Sequence, residues 1–304
     1  MGGDKRVLVE PTNIEQWYKD NKELFSPPIC NKLLHKGQMT VMFVGGPNTR
    51  TDFHLDQGSE FFWMLKGGME LPIIQQGKRK LVKINEGEVF LLPPRVPHSP
   101  QRPQQGSLGL VVERERNKSE NEVDGLRWYT DFNNCDQILW ERYFYCGDLG
   151  RDLVPVVKAY KESEECRSRI PGENLCKRPP FEQNTTDAVP EPFNLKEWIE
   201  RNRKELSQGK TLRLFPESHP CPEMNILVQG GNVSSFYTAT RDGIETMIYQ
   251  IEGESIVEVD SETLREAKEG TCMVVAGATS FKVKSASKAV VMLVQQDPKG
   301  KRAK

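Results

Sequence analysis

Residues 45–67 read Gly45-Gly-Pro-Asn-Thr-Arg50-Thr-Asp-Phe-His54-Leu-Asp-Gln-Gly-Ser-Glu60-Phe-Phe-Trp-Met-Leu-Lys-Gly67. After an intervening hairpin, residues 87–102 read Gly87-Glu-Val-Phe-Leu-Leu-Pro93-Pro-Arg-Val-Pro-His98-Ser-Pro-Gln-Arg102. Each stretch is a short run of bulky apolar residues bounded by glycine, proline or Asp/Asn, the signature of β-strands joined by tight turns. Working outward, the same punctuation isolates strands at 40–44, 60–66, 69–75, 80–84, 89–92 and 108–114. Strands this short and this closely spaced predict an antiparallel sandwich or barrel rather than alternating βαβ units. Within them stand His54, Glu60 and His98. Two neutral imidazoles and one carboxylate suit a divalent iron site that binds one face of the metal and leaves the other positions open. The even separation of His54 and Glu60 allows both side chains one face if alternation is preserved, and the prolines at 93, 94 and 97 stiffen the turn that delivers His98 from a neighbouring strand.

The rest of the composition narrows the function classes. The chain has 304 residues, enough for two domains of about 150 each. Its 42 Lys+Arg balance 43 Asp+Glu to a net charge of -1, so no basic field exists to hold nucleic acid. No apolar run approaches the roughly 20 residues of a membrane span. Charged residues stand where a signal peptide would be apolar (Asp4, Lys5, Arg6), and a cytosolic address is expected. The seven cysteines include no C-x-x-C pair and are expected to be reduced and buried. Of four histidines, His35 and His219 fall outside the cluster and are expected to be solvated loop residues.

Helical periodicity is confined to 13–21, 194–207 and 151–167; the first two each open on Asn and carry a Trp. They introduce an internal repeat. MTVMFVGG at 39–46 matches MNILVQGG at 224–231, Trp63 to Gly67 matches Tyr249 to Gly253, Glu86-Gly87 matches Glu269-Gly270, and 109–113 matches 291–295. The stretch 168–192 carries five prolines and no periodicity. The expected organisation is therefore a first β-rich unit at 1–167 with the metal site, a linker at 168–185, and a second β-rich unit at 186–304. Counting along the repeat places Thr240, Thr246 and Phe281 where His54, Glu60 and His98 stand, so the second unit is expected to hold no metal.

These motifs resemble the cupin superfamily. Gly46 to Gly67 approximates its first motif, with Asp56 where a second His often stands. Gly87, Pro93 and His98 approximate its second, with Arg95 in place of an inner glycine. Within the superfamily, GGPNTR, FLLPPRVPHSPQR and GLVVER resemble the 3-hydroxyanthranilate 3,4-dioxygenase family along essentially the whole chain. The absence of a C-terminal C-x-x-C points to its animal-type, two-barrel branch.

The resemblance implies a mainly β protein of two tandem jelly-roll barrels with a few flanking helices. It implies Fe(2+) as cofactor and ring opening of 3-hydroxyanthranilate by O2 to 2-amino-3-carboxymuconate semialdehyde, on the kynurenine route to quinolinate and NAD, in a monomer. His54, Glu60 and His98 would hold the metal. Arg50, Glu60, Arg102 and Glu113 would be catalytic: Arg102 clamps the substrate carboxylate, Glu113 accepts a hydrogen bond from the amine, Glu60 also borders the substrate, and Arg50 stands beside O2. Another metal-dependent cupin enzyme, such as a sugar isomerase or a different dioxygenase, and a non-catalytic ligand-binding cupin are the alternatives. A sugar phosphate would call for a Lys/Arg cluster, and a purely binding cupin for degenerate donors in both units.

Overall fold

The strands expected between residues 40 and 114 form in a computed structural model of the chain, which describes residues 7–27, 30–172, 175–238, 243–259, 263–276 and 280–300. One six-stranded sheet runs, edge to edge, Phe193–Asn194, Glu88–Leu92, Glu60–Lys66, Leu108–Arg114, Met39–Gly45, Asn31–Lys36. Opposite it lie Ile138–Phe144, Asp124–Tyr129 and Phe53–Leu55, and the hairpin Met69–Gln75/Lys78–Ile84. Single bridges His54↔His98, Ile73↔His98 and Glu70↔Gln101 sew these pieces together. His98 is thus the seam of the second layer, and the result is a jelly-roll barrel.

The second half repeats the plan. A six-stranded sheet (Val7–Asn13, Thr271–Val275, Thr246–Glu252, Val290–Gln296, Met224–Gly230, Thr211–Arg213) accompanies a four-stranded one (Val233–Thr238, Ser280–Ser285, Glu254–Glu258, Leu264–Lys268). The fold is two tandem cupin barrels.

Strand alternation explains how the barrels join. Phe61, Trp63, Leu110 and Val112 point away from the first barrel and share one core with Met247, Tyr249, Met292 and Val294 of the second. Trp63 and Tyr249, matched in the repeat, meet edge to face with centroids 4.9 Å apart. The opposite parity fills each barrel, with Phe62, Met64 and Val111 in the first and Ile248, Met273 and Leu293 in the second. Residues on both faces of these strands are buried, so the runs read as continuous hydrophobic stretches rather than clean alternation.

The barrels also exchange their first strands. Val7–Asn13 pairs with Thr271–Val275 of the second barrel, and Phe193–Asn194 pairs with Glu88–Leu92 of the first. Sheet membership therefore crosses the boundaries drawn at 1–167 and 186–304. In each case the asparagine caps the helix that follows: Asn13 Oδ1 accepts from Gln16 N at 3.0 Å, and Asn194 Oδ1 from Glu197 N at 3.1 Å. The proline-rich stretch straps the first barrel, where Asn184 N donates to Arg95 O at 2.9 Å and Val189 is buried in the barrel core.

The helical pattern at 151–167 forms as two helices, Leu149–Glu162 and Glu164–Ser168, broken at Ser163, which caps the second. Tyr160 stacks on Trp128 at 4.0 Å beside Trp140. Tyr160→Ala should cost about 3 kcal/mol of stability, as for other large aromatic truncations, read as a lower denaturant midpoint with metal content unchanged. All seven cysteines are unbonded, and five are buried. Among the described residues no helix is long and apolar enough to cross a membrane.

Candidate metal centre

His54 lies in Phe53–Leu55, Glu60 opens Glu60–Lys66, and His98 follows the proline turn. The even spacing works for a reason other than alternation along one strand. The chain turns at 56–59, where Asp56 Oδ1 accepts from Gly58 N at 2.7 Å, and passes to the opposite sheet, so His54 and Glu60 face each other across the barrel. Arg95, standing where the cupin motif has glycine, adopts φ 63°, the left-handed conformation that favours glycine there.

The three side chains converge and are buried, each offering a donor atom within 4.8 Å of the others. Glu60 Oε1 lies 2.9 Å from His98 Nε2, yet makes no hydrogen bond with acceptable geometry. Two donor atoms that approach each other and aim elsewhere fit a shared cation. His98 Nδ1 is 3.0 Å from Val96 O, which fixes the tautomer that leaves Nε2 as a lone-pair donor. His54 Nε2 is 2.7 Å from Asp124 Oδ2, which in this ring orientation leaves Nδ1 for a metal. Carboxylate or carbonyl partners of this kind orient metal-binding imidazoles. Burial opposes a charge on His54, but Asp124, Glu60 and Asp56 outweigh it and raise its pKa to about 8; a bound metal would take the place of that proton.

Behind the donors lies a charged cluster that sequence reading missed. Arg116 is buried and touches three carboxylates: Asp56 at 2.7 Å, Asp124 at 2.6 Å and Glu113 at 3.1 Å. Those anions raise its pKa well above the usual guanidinium range despite burial. Asp124 is held far below the ordinary carboxylate range by Arg116 and His54, which outweigh its burial. Asp56 goes the other way: burial and the neighbouring carboxylates Asp124, Glu113 and Glu60 raise it against Arg116. The one signal available was Asp56 at the position of the superfamily's second histidine. Arg116 and Asp124 read as ordinary surface charges in the polar stretch 113–124.

Of the two residues expected at the substrate, Glu113 is ion-paired with Arg116. Arg102 is buried, donates from Nε to Gly45 O at 2.9 Å, and has no carboxylate partner among the described residues. Burial, and then Arg50, push its pKa down to about 10. Arg50 is half-buried and ion-paired with Asp52. A cavity of about 290 Å³ is lined by Asn31, Thr40, Met42, Glu113, Arg116 and Cys146.

His35 and His219 are not solvated. His35 is buried in Asn31–Lys36 with Nε2 2.7 Å from Glu245 Oε2 of the second barrel, and His219 is buried edge to face on Phe215. Contacts from the far half of the chain bury the first, and the inter-barrel core the second; neither is visible locally. In the second barrel, Thr246 Oγ1 accepts from Gln295 Nε2 at 2.8 Å and Phe281 is a core residue. Thr240 lies outside the described residues. Among those described, the clusters able to hold a metal lie in the first barrel.

Salicylate 1,2-dioxygenase from Pseudaminobacter salicylatoxidans superposes with a TM-score of 0.57 at 12% identity, over 97% of this chain and 85% of the other. A cupin 2 conserved barrel domain protein from Leptotrichia buccalis gives 0.51 at 12% identity, over 96% and 97%. These likenesses show the fold of two cupin barrels, and the buried donors could hold a metal ion. The family model of 3-hydroxyanthranilic acid dioxygenase matches residues 7–161. The 3-hydroxyanthranilate 3,4-dioxygenase of Homo sapiens is 40% identical over 286 residues, 94% of this chain and 96% of that one, and that of Danio rerio is 39% identical over 291 residues, 95% and 96%. The chain belongs to the 3-hydroxyanthranilic acid dioxygenase family, and is a metal-dependent cupin dioxygenase.

Proposed function

We propose that the protein inserts both atoms of O2 into 3-hydroxyanthranilate, opening the ring to 2-amino-3-carboxymuconate semialdehyde, with Fe(2+) held by His54, Glu60 and His98. The observation that carries this reading is the combination of a buried three-donor cluster with Arg102, a buried guanidinium without a carboxylate partner among the described residues. A buried, uncompensated cation is costly, and an anionic ligand relieves that cost. When bound, Fe(2+) supplies the one-electron chemistry that lets a closed-shell aromatic react with O2.

The chain's own residues do the rest. Arg102 binds the substrate carboxylate, for which a planar guanidinium is the matching donor. Glu113, held by Arg116 at 3.1 Å, accepts a hydrogen bond from the ring amine. Glu60 borders the substrate as well as the metal. Arg50, anchored by Asp52, presents positive charge where negative charge develops on oxygen. Asp124 accepts a hydrogen bond from His54 Nε2 and fixes the ring. The apolar barrel lining of Met42, Val44, Phe62 and Val111 excludes water from the reacting ring.

We place the enzyme in the cytosol, on the quinolinate branch of the kynurenine pathway, as a monomer with its metal-bearing unit first. The monomer reading is supported by the broad apolar sheet faces of the two barrels, which cover each other within one chain. The test is anaerobic loading of metal-free protein with Fe(2+), then addition of 3-hydroxyanthranilate and O2 while following the absorbance of the semialdehyde. Product formation is expected, and its absence from folded, iron-loaded protein would overturn the reading.

A further inference from the structure

The second barrel grips the peptide that precedes Glu60. Ser59 N donates to Glu223 Oε1, and Ser59 O accepts from Gln296 Nε2 at 2.8 Å. Gln296 Nε2 also donates to Glu223 Oε1 at 2.9 Å, so both polar backbone atoms of Ser59 are held by one linked pair of side chains. The other oxygen, Glu223 Oε2, accepts from Arg114 Nε at 3.2 Å, and Arg114 follows Glu113 directly. One carboxylate therefore ties together the start of the strand carrying Glu60 and the end of the strand carrying Glu113. Glu223 is fixed in turn by its own barrel, where Asp297 N donates to Glu223 O at 2.8 Å. Ser59 and Gln296 are wholly buried and Glu223 nearly so, so the contacts form out of competition with water.

The repeat supplies a comparison inside the molecule. Gln38 precedes Met39 as Glu223 precedes Met224, and Gln38 Oε1 accepts from Glu245 N at 3.1 Å, just before Thr246. The same backbone contact is thus made in both directions across the interface. On the side without the metal donors it is made by a neutral amide. On the side with them it is made by a carboxylate that also engages an arginine.

We propose that Glu223 and Gln296 are positioning residues for the metal centre: the second barrel, lacking donors at Thr246 and Phe281, acts as a clamp that fixes Glu60 and, through Arg114, Glu113. This rests on the reading of Glu60 as a metal ligand. Partners one layer outside metal ligands are typically worth about 10–100-fold in metal affinity.

The test is Mn(2+) alone, titrated into the metal-free full-length protein and followed by the electron paramagnetic resonance of the free ion, with folding checked by thermal melting. Glu223→Ala and Gln296→Met should weaken Mn(2+) binding about tenfold or more. Glu223→Gln keeps an acceptor for Ser59 N but no charge for Arg114, and should fall between them and the parent; it also carries the test if Glu223→Ala does not fold. Gln38→Ala, the mirror contact, should lower the melting temperature yet bind Mn(2+) like the parent. Parent-like binding by folded Glu223 and Gln296 variants overturns the clamp, as does an equal loss in Gln38→Ala, which would reduce the effect to a loosened interface. Glu60→Ala separates the two levels. If it retains Mn(2+) affinity, the ligand assignment fails and the clamp with it; if it loses affinity while the Glu223 and Gln296 variants do not, only the clamp fails.

Discussion

His98→Ala is expected to purify without bound metal and to lose at least about 10³-fold in ring-opening rate, because the metal's contribution of several kcal/mol to the barrier disappears with it. His98 closes the seam of the barrel's second layer through its backbone, with His54 N donating to His98 O at 2.7 Å and His98 N to His54 O at 3.0 Å. Those bonds survive the substitution, so folding should persist while metal binding does not. His54→Ala should behave alike, though it also strands Asp124 beside Arg116. Thr246→Ala, at the matching position of the second barrel, should leave metal content unchanged. The check is metal analysis after gel filtration, alongside initial rates; equal metal in His98→Ala and the parent would mean that the donors have been misplaced.

Arg102→Met should raise KM for 3-hydroxyanthranilate roughly 10²-fold, equivalent to about 3 kcal/mol, the usual scale for one partner of a buried charge-assisted contact. Metal content should stay at the parent level. The parent protein holds Arg102 as a cation against burial and against Arg50, which together bring its pKa down to about 10. Anion binding should therefore raise the melting temperature of the parent in the presence of a benzoate-type ligand, and fail to do so in Arg102→Met. Arg102→Lys should restore little, since a lysine offers a point charge rather than a planar pair of donors and cannot reproduce the bond to Gly45 O in the same geometry. An unchanged KM in Arg102→Met would return the residue to a structural role on the Asn48↔Arg102 bridge.

The jelly-roll barrel and its duplication were legible because both are written in short-range patterns. Strand period, turn glycines and prolines, and the Asn-capped helix before each copy need only neighbouring residues to be read. The convergence of His54, Glu60 and His98 as candidate donors was legible because two of only four histidines stood with a carboxylate at the turns of those strands. Arg102 was legible as a side chain, but the pairing of Glu113 with Arg116 was not, because three residues apart on the chain does not by itself show two charges meeting in a buried cluster.

What tertiary structure decided are contacts between groups far apart in the chain. His54 meets Asp124 across 70 residues, and Ser59 meets Glu223 across 164. Asp124, Arg116 and Glu223 carry no mark in the sequence that separates them from solvated surface charges. Burial and mutual pairing give them their roles, and both exist only after the strands have been arranged. The exchange of first strands was hidden for a related reason, since an edge strand's partner is set by which sheet edge lies open to it rather than by its own residues. By itself the sequence determined two barrels and one candidate set of metal donors, since hydrophobic period and ligand chemistry are local properties. Tertiary structure alone decided how those donors are held, because low dielectric and long-range pairing arise only once the two barrels close on each other.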